Sequence, residues 1–262
     1  MDKVVVITGA SKGIGRSTSE KFRKEGYKVY DLSRSGETDN ISEHIHCDVS
    51  DFEQVDNAIK YVIEKEKKID IAISNAGFGI SGSVESTDYD KIKKQIDVNF
   101  NGAAYFARAV LPYIRESKGR ILFLSSVAGQ IPLPFQSMYS ATKAAILSLA
   151  MSLDNEIKIS GARALALMPG DLSTNFTASR LKNLYEPDFY RDRVERSVSK
   201  MEKDEKSGKS PDYIANKLYI LATKSNPKVA VSAGIFYKFA LLLVKLLPVR
   251  IFNNIIGKIY SK

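Results

Sequence analysis

Tyr139 and Lys143 stand four residues apart in Tyr139-Ser140-Ala141-Thr142-Lys143. On a helix that spacing puts both side chains on one face. A free phenol titrates at about 10 and needs a lowered pKa to move protons near neutrality. An ammonium beside it favours the phenolate. The pair therefore suits proton transfer at an oxygen, although Tyr and Lys at this spacing are common on helices. A second cluster, Thr8-Gly9-Ala10-Ser11-Lys12-Gly13-Ile14-Gly15, follows a β-branched run at the start of the chain. Glycines let the backbone approach a pyrophosphate, and a helix starting inside the cluster offers free N–H groups and partial positive charge. Gly9, Ser11, Lys12, Gly13, Ile14 and Gly15 are thus expected to hold a phosphate-bearing ligand.

The elements around these residues alternate. Residues 4–8 form an apolar run without a polar face, as in a strand buried on both sides. A helix to about Glu25, ended by Gly26, leads to strands over 28–32 and 45–49. Phe52, Val55, Ile59, Val62 and Ile63 recur at helical spacing, which predicts a helix over 51–67. Further strands are expected at 69–74, 120–125, 162–168 and 229–232, with helices at 88–116, 137–159 and 211–224. Ser210 and Pro211 read as N-cap and first residue of the last of these. This alternation implies α/β architecture: one domain over 1–262, a Rossmann-type doubly wound parallel sheet with helices on both faces. Residues 181–209 are highly charged and read as a solvated helical insertion or a lid over about 175–210.

The glycine cluster has the spacing T-G-x-x-x-G-x-G, which resembles the short-chain dehydrogenase/reductase family. The resemblance continues through Asn75-Ala76-Gly77, Asn99, Ser125-Ser126, the Y-x-x-x-K of Tyr139 to Lys143, and Pro169-Gly170 with Thr174. It covers roughly residues 3–174, with Ser74 a departure where many members have a second Asn. The family transfers hydride between a nicotinamide dinucleotide and a carbonyl or alcohol. The resemblance implies Tyr139 as proton donor, Lys143 on the phenol and the nicotinamide ribose, and Ser126 on the substrate oxygen. It implies Asn99 as holder of a relay water. Asn75, Ala76, Gly77, Pro169, Gly170, Leu172 and Thr174 would line the cofactor, and Asp48-Val49 would flank adenine.

An acid at the end of the second strand holds the ribose in NAD enzymes; a neutral residue with a cation admits the 2′-phosphate. The resemblance implies that this position falls on Ser33, followed by Arg34, with Lys12 as second cation, so NADP(H) is expected. Asp31 would favour NAD if the strand ended sooner. Residues 78–85 resemble the NADP-dependent hydroxysteroid and retinol dehydrogenase-like branch, and Ile131-Pro132-Leu133-Pro134-Phe135 is strongly apolar. A hydrophobic ketone or secondary alcohol is the expected substrate: steroid-, retinoid- or lipid-like. The resemblance also implies a homodimer or homotetramer. A nucleotide sensor without catalysis is the alternative, against which stand Ser126, Tyr139 and Lys143 together.

The composition is compatible. Apolar residues make up 44%, enough to exclude a disordered chain. Cys47 is the single cysteine, and His44 and His46 are too few for a zinc centre with it, so no metal is expected. No secretory leader and no uninterrupted apolar stretch of about twenty residues appear, so a cytoplasmic protein is expected. Lys and Arg total 39 against 30 for Asp and Glu, a surplus of nine. Residues 213–262 hold eight basic residues and no acid, so the surplus belongs to the tail. That removes most of the case for a basic nucleic-acid face. The tail from Gly234 is apolar as well as basic. It reads as packing over the substrate site, as a subunit contact, or as a peripheral membrane contact.

Overall fold

The computed structural model describes residues 2–173 and 180–260. Val4, Val5, Val6 and Ile7 are all buried, as a strand covered on both faces requires. This strand, β1 (Val4–Thr8), turns through the glycines into α1 (Gly13–Lys24). There follow β2 (Lys28–Ser33), β3 (Glu43–His46), α2 (Phe52–Glu66), β4 (Ile71–Ser74) and a short β5 (Ile80–Ser81). Next come α3 (Tyr89–Ile96), a π-helical turn at Asp97–Asn101, α4 (Gly102–Glu116), β6 (Arg120–Leu124), α5 (Ser137–Ile157) and β7 (Arg163–Pro169). The remainder is β8 (Leu181–Lys182), α6 (Asp188–Lys206), α7 (Pro211–Thr223), β9 (Ala230–Ala233), α8 (Ile235–Leu246) and α9 (Val249–Tyr260).

Seven strands form one parallel sheet in the order β3-β2-β1-β4-β6-β7-β9, bearing out the doubly wound architecture. Alternate residues of each strand feed opposite layers. Val4, Val6, Ile121 and Phe123 pack with α2, α4 and α5, whereas Val5, Ile7, Leu122 and Leu165 pack with α1 and α7. The strand order reverses between β1 and β4, which opens a crevice at the carboxyl ends of the strands.

Two expectations need correction. The third strand runs Glu43–His46 instead of 45–49, because Tyr30 to Ser33 of β2 pair only that far. Beyond it, Asp48 accepts the Ser50 N–H and turns the chain towards Asp51, whose carboxylate caps α2 through the Glu53 and Gln54 amides. The single helix expected over 88–116 is interrupted by the π-helical turn, which carries Asn99 inward. Residues 181–209 hold a short strand and a 19-residue helix that is exposed along most of its length and anchored by the buried Ser197, Val198 and Met201.

A few close approaches fix the crevice. A Cβ on Gly102 would lie 2.9 Å from Val49 Cγ2, so glycine lets α4 press on the chain leaving β3. The Thr8 hydroxyl accepts the N–H groups of both Asn75 (3.0 Å) and Ala76 (3.1 Å). The Asn75 amide donates to the Thr8 and Gly9 carbonyls, both at 2.9 Å. The glycine turn and the loop after β4 are thus one hydrogen-bonded unit. Thr8→Val keeps the shape but leaves two half-buried amides without an acceptor, at a cost of about 1–3 kcal/mol. The thermal midpoint of Thr8→Val is expected to fall clearly while Thr8→Ser stays near the parent; equal midpoints for all three would show that this stitch carries no stability.

Candidate active site

The phosphate cradle begins with a helix terminus. Lys12 occupies the N-cap position of α1 without a side-chain cap, and the first turn holds no acid. The leading N–H groups of α1 therefore stay available to an anion. Gly9 and Gly13 have φ of +66° and +58°, a conformation that favours glycine. A Cβ on Gly13 would meet nothing within 4 Å, whereas one on Gly15 would sit 2.2 Å from the Gly9 carbonyl oxygen. Gly13 faces open space and Gly15 lets the helix dock beneath the turn, a shape that fits a pyrophosphate. Gly9, Ser11, Lys12, Gly13, Ile14 and Gly15 all line one cavity of about 970 Å³.

At the end of β2, Asp31 is buried and accepts the Ala10 N–H at 2.8 Å. The Ser33 hydroxyl lies 2.9 Å from its carboxylate, and His44 Nδ1 lies 3.4 Å away. Burial pushes this carboxyl up, against the pull of the Ala10 amide, Ser33 and His44. Asp31 thus holds the glycine turn against β2, and the cavity wall there is Ser33, Arg34 and Ser35. The Arg34 side chain is largely exposed, 4.0 Å from the Asp48 carboxylate. Lys94, on α3, joins Lys12 and Arg34 on the same wall, and Asp48, Val49 and the buried Cys47 complete it.

The reactive end is built where β6 runs into α5. The Ser125 hydroxyl donates to the Lys143 carbonyl at 2.7 Å. A Cβ on Gly129 would lie 2.8 Å from that same carbonyl, so glycine lets the turn bearing Ser126 lie on α5. The Lys143 ammonium donates to the Leu124 carbonyl at 2.7 Å and sits 5.7 Å from the centre of the Tyr139 ring. Burial lowers the Lys143 ammonium to about 8. The Tyr139 ring as a whole is half-buried, yet its phenol is desolvated and, contrary to the lowering expected beside Lys143, pushed up to about 12, with the hydrogen-bonded Ser126 hydroxyl pulling it back. Ser126, Tyr139 and Lys143 face the cavity together with Asn75, Ala76, Gly77, Pro169, Gly170 and Leu172. Thr174 lies outside the described residues.

Asn99 does not face the cavity. Its Oδ1 accepts the Phe78 N–H at 3.0 Å, and its Nδ2 donates to the Phe78 carbonyl (2.9 Å) and the Thr142 hydroxyl (3.1 Å). The side chain thus clamps the loop after β4 to α5. It remains close to the reactive group: a Cβ on Gly77 would be 3.2 Å from Asn99 Oδ1 and 3.7 Å from Lys143 Nζ.

The apolar walls differ from expectation. Of Ile131 to Phe135, Ile131 and Leu133 reach the cavity; Phe135 is buried against Tyr190 instead, with φ of +62°. From residues 78–85 only Phe78 reaches it, since the Ser83 N–H is tied to Glu186 at 3.0 Å. Much of the wall comes from segments whose sequence carries no motif. From α6 come Lys200, Asp204 and Glu205; Glu205 pairs with the buried Arg180, and the two exert opposite fields on the Tyr139 phenol. From the tail come Tyr237, Ala240 and Leu243 of α8 and Phe252, Ile255, Ile256 and Ile259 of α9. The Tyr237 hydroxyl accepts the Asp171 N–H at 2.9 Å and donates to the Asp171 carboxylate. A Cβ on Gly170 would lie 2.1 Å from the Tyr237 ring, so glycine admits this latch. The tail therefore packs over the site.

The family model for short chain dehydrogenase matches residues 3–184. A 3-ketodihydrosphingosine reductase of Bacteroides thetaiotaomicron is 31% identical over 239 residues, 88% of each chain. Among solved structures, an alcohol dehydrogenase of Thermococcus sibiricus, complexed with 5-hydroxy-NADP, superposes with a TM-score of 0.71 at 25% identity, covering 88% of this chain and 96% of that one. A 3-ketoacyl-(acyl-carrier-protein) reductase of Brucella melitensis, complexed with NADH, gives 0.73 at 25% identity, covering 88% and 97%. The glycine cradle, the Ser126–Tyr139–Lys143 cluster and the family match over most of the sheet agree: the chain belongs to the short-chain dehydrogenase family and is an oxidoreductase.

Proposed function

We propose that the protein is an NADP(H)-dependent carbonyl reductase, reversible as an alcohol dehydrogenase, acting on a ketone that carries a long hydrocarbon chain. The observation that carries this reading is the cavity itself. Ser126, Tyr139 and Lys143 stand at one side, and an apolar wall of Ala240, Leu243, Phe252, Ile255, Ile256 and Ile259 stands in the same enclosure. A keto lipid would place its polar carbonyl on the first set and its chain on the second. The Bacteroides relative, a 3-ketodihydrosphingosine reductase by name, supports the same class.

NADP(H) is favoured by what Asp31 does. Its carboxylate is occupied by the Ala10 amide and lies under the turn, while Ser33 and Arg34 form the cavity wall. Arg34 and Lys12 are then the groups that would hold a 2′-phosphate, Arg by its planar fork. The α1 terminus would hold the pyrophosphate and the Lys143 ammonium the nicotinamide ribose. Bound nicotinamide supplies or accepts the hydride. The Ser126 hydroxyl orients the substrate oxygen and the Tyr139 phenol gives it a proton. The Lys143 ammonium stabilises the phenolate that results.

Tyr139→Phe is expected to lower kcat for NADPH-dependent ketone reduction at least about a hundredfold with NADPH affinity nearly unchanged; retained turnover would remove Tyr139 from the chemistry. Arg34→Ser is expected to weaken NADPH binding by about ten- to a hundredfold, the size of a charge-assisted hydrogen bond, and NADH binding little. Equal losses for both dinucleotides, or a parent enzyme that uses NADH as well as NADPH, would contradict the cofactor assignment. The pH dependence has a definite sign. Lys143 is lowered to about 8, so it is cationic below that pH and neutral above, while Tyr139, raised to about 12, keeps its proton throughout. The kcat/KM for reduction should therefore be level below about 8 and fall above it. A profile that rises through that range would contradict the assigned roles.

A further inference from the structure

The inner sides of α8 and α9 belong to the cavity; among the described residues nothing covers their outer sides. On α8, Ile235, Phe239, Leu242 and Leu246 recur at helical spacing and are 87%, 60%, 50% and 69% exposed. Val249 and Ile251 extend the exposed apolar surface onto α9 at 83% and 50%. Apolar surface of this extent on a folded protein marks an interaction site. Lys238 and Lys245, seven residues apart, share the outer side of α8, and Arg250 and Lys258 are exposed on α9. Among the described residues none of these four cations has an ion-pair partner. Residues 213–262 contain no acid at all.

This combination selects its occupant. A second copy docked through the same face would set these cations against their own counterparts, because a twofold interface brings identical patches together. Nucleic acid would answer the charge and leave the apolar stripe in water. An anionic bilayer answers both: apolar side chains enter the boundary of the acyl region, and lysines and arginine rest on lipid phosphates. Among the described residues no helix is long and apolar enough to cross a membrane, so the contact lies in the plane of the surface. We propose that the α8–α9 pair is a peripheral docking surface for anionic lipid bilayers. Docking there would leave only α8 and α9 between the cavity and the lipid phase. The docking itself does not depend on which ketone is reduced.

The test is co-sedimentation of the full chain with vesicles of phosphatidylcholine alone or with about one-third phosphatidylglycerol, at about 0.1 M and about 1 M salt, where screening differs strongly. The expected result is binding to the anionic vesicles at low salt, little to the neutral ones, and release at high salt. Two variants outside the cavity wall separate the contributions: Lys238→Glu with Lys245→Glu, and Leu242→Glu with Leu246→Glu. Each should weaken anionic-vesicle binding at least about tenfold. NADPH affinity and the far-ultraviolet dichroism should stay at parental values, which shows that the fold is intact. Absence of parental binding, or binding unchanged in both variants, would overturn the proposal. So would a dimer in solution that the Leu242→Glu, Leu246→Glu variant dissociates, because the face would then be a subunit contact.

Discussion

A lysine ammonium buried where a sheet meets a helix needs partners, or its charge is lost to desolvation. Lys143 is in that position, and its hydrogen bond to the Leu124 carbonyl at the last residue of β6 fixes its height in the site. The rest of the reactive end follows from keeping that contact. Ser125 bonds back to the Lys143 carbonyl, Gly129 admits the close crossing, and Ser126 is thereby delivered to the Tyr139 phenol. Burial then moves the two titrating groups apart, the phenol up and the ammonium down. In that state the phenol holds its proton and can give it, and the neighbouring cation stabilises what remains.

The residues legible from sequence are those whose role depends on local geometry. A glycine at positive φ, a helix terminus without acid, and a Tyr and Lys at i, i+4 are properties of a short segment. The structure brings Gly9, residues 11–15, Asn75 to Gly77, Ser126, Tyr139 and Lys143 into one cavity. Asp31 was ambiguous because its task is set by Ala10, twenty-one residues away, and that amide is not visible in a strand pattern. Asn99 lay inside what reads as one long helix. The π-helical turn that redirects its amide to Phe78 and Thr142 leaves no trace in apolar periodicity.

The walls of the site were the least legible, for a related reason. Cavity-lining residues come from α6, α8 and α9, whose sequence neighbours give no hint of which strand end they cover. Tyr237 is an ordinary tail residue until Gly170 and Asp171 are seen beneath it. The basic surplus found along residues 213–262 acquires meaning only with the helices in place. Their inner sides close the site, and their outer sides remain apolar and cationic.

The central claim, that one cavity joins a proton-donating cluster to a hydrocarbon-binding wall, is tested most directly by a homologous series of 3-ketones of increasing chain length with NADPH. The account predicts that kcat/KM rises with each added methylene, by up to roughly fourfold per step as expected for full burial, until the wall formed by α8 and α9 is covered. Values that stay level from the shortest to the longest ketone, with NADPH oxidised throughout, would contradict it.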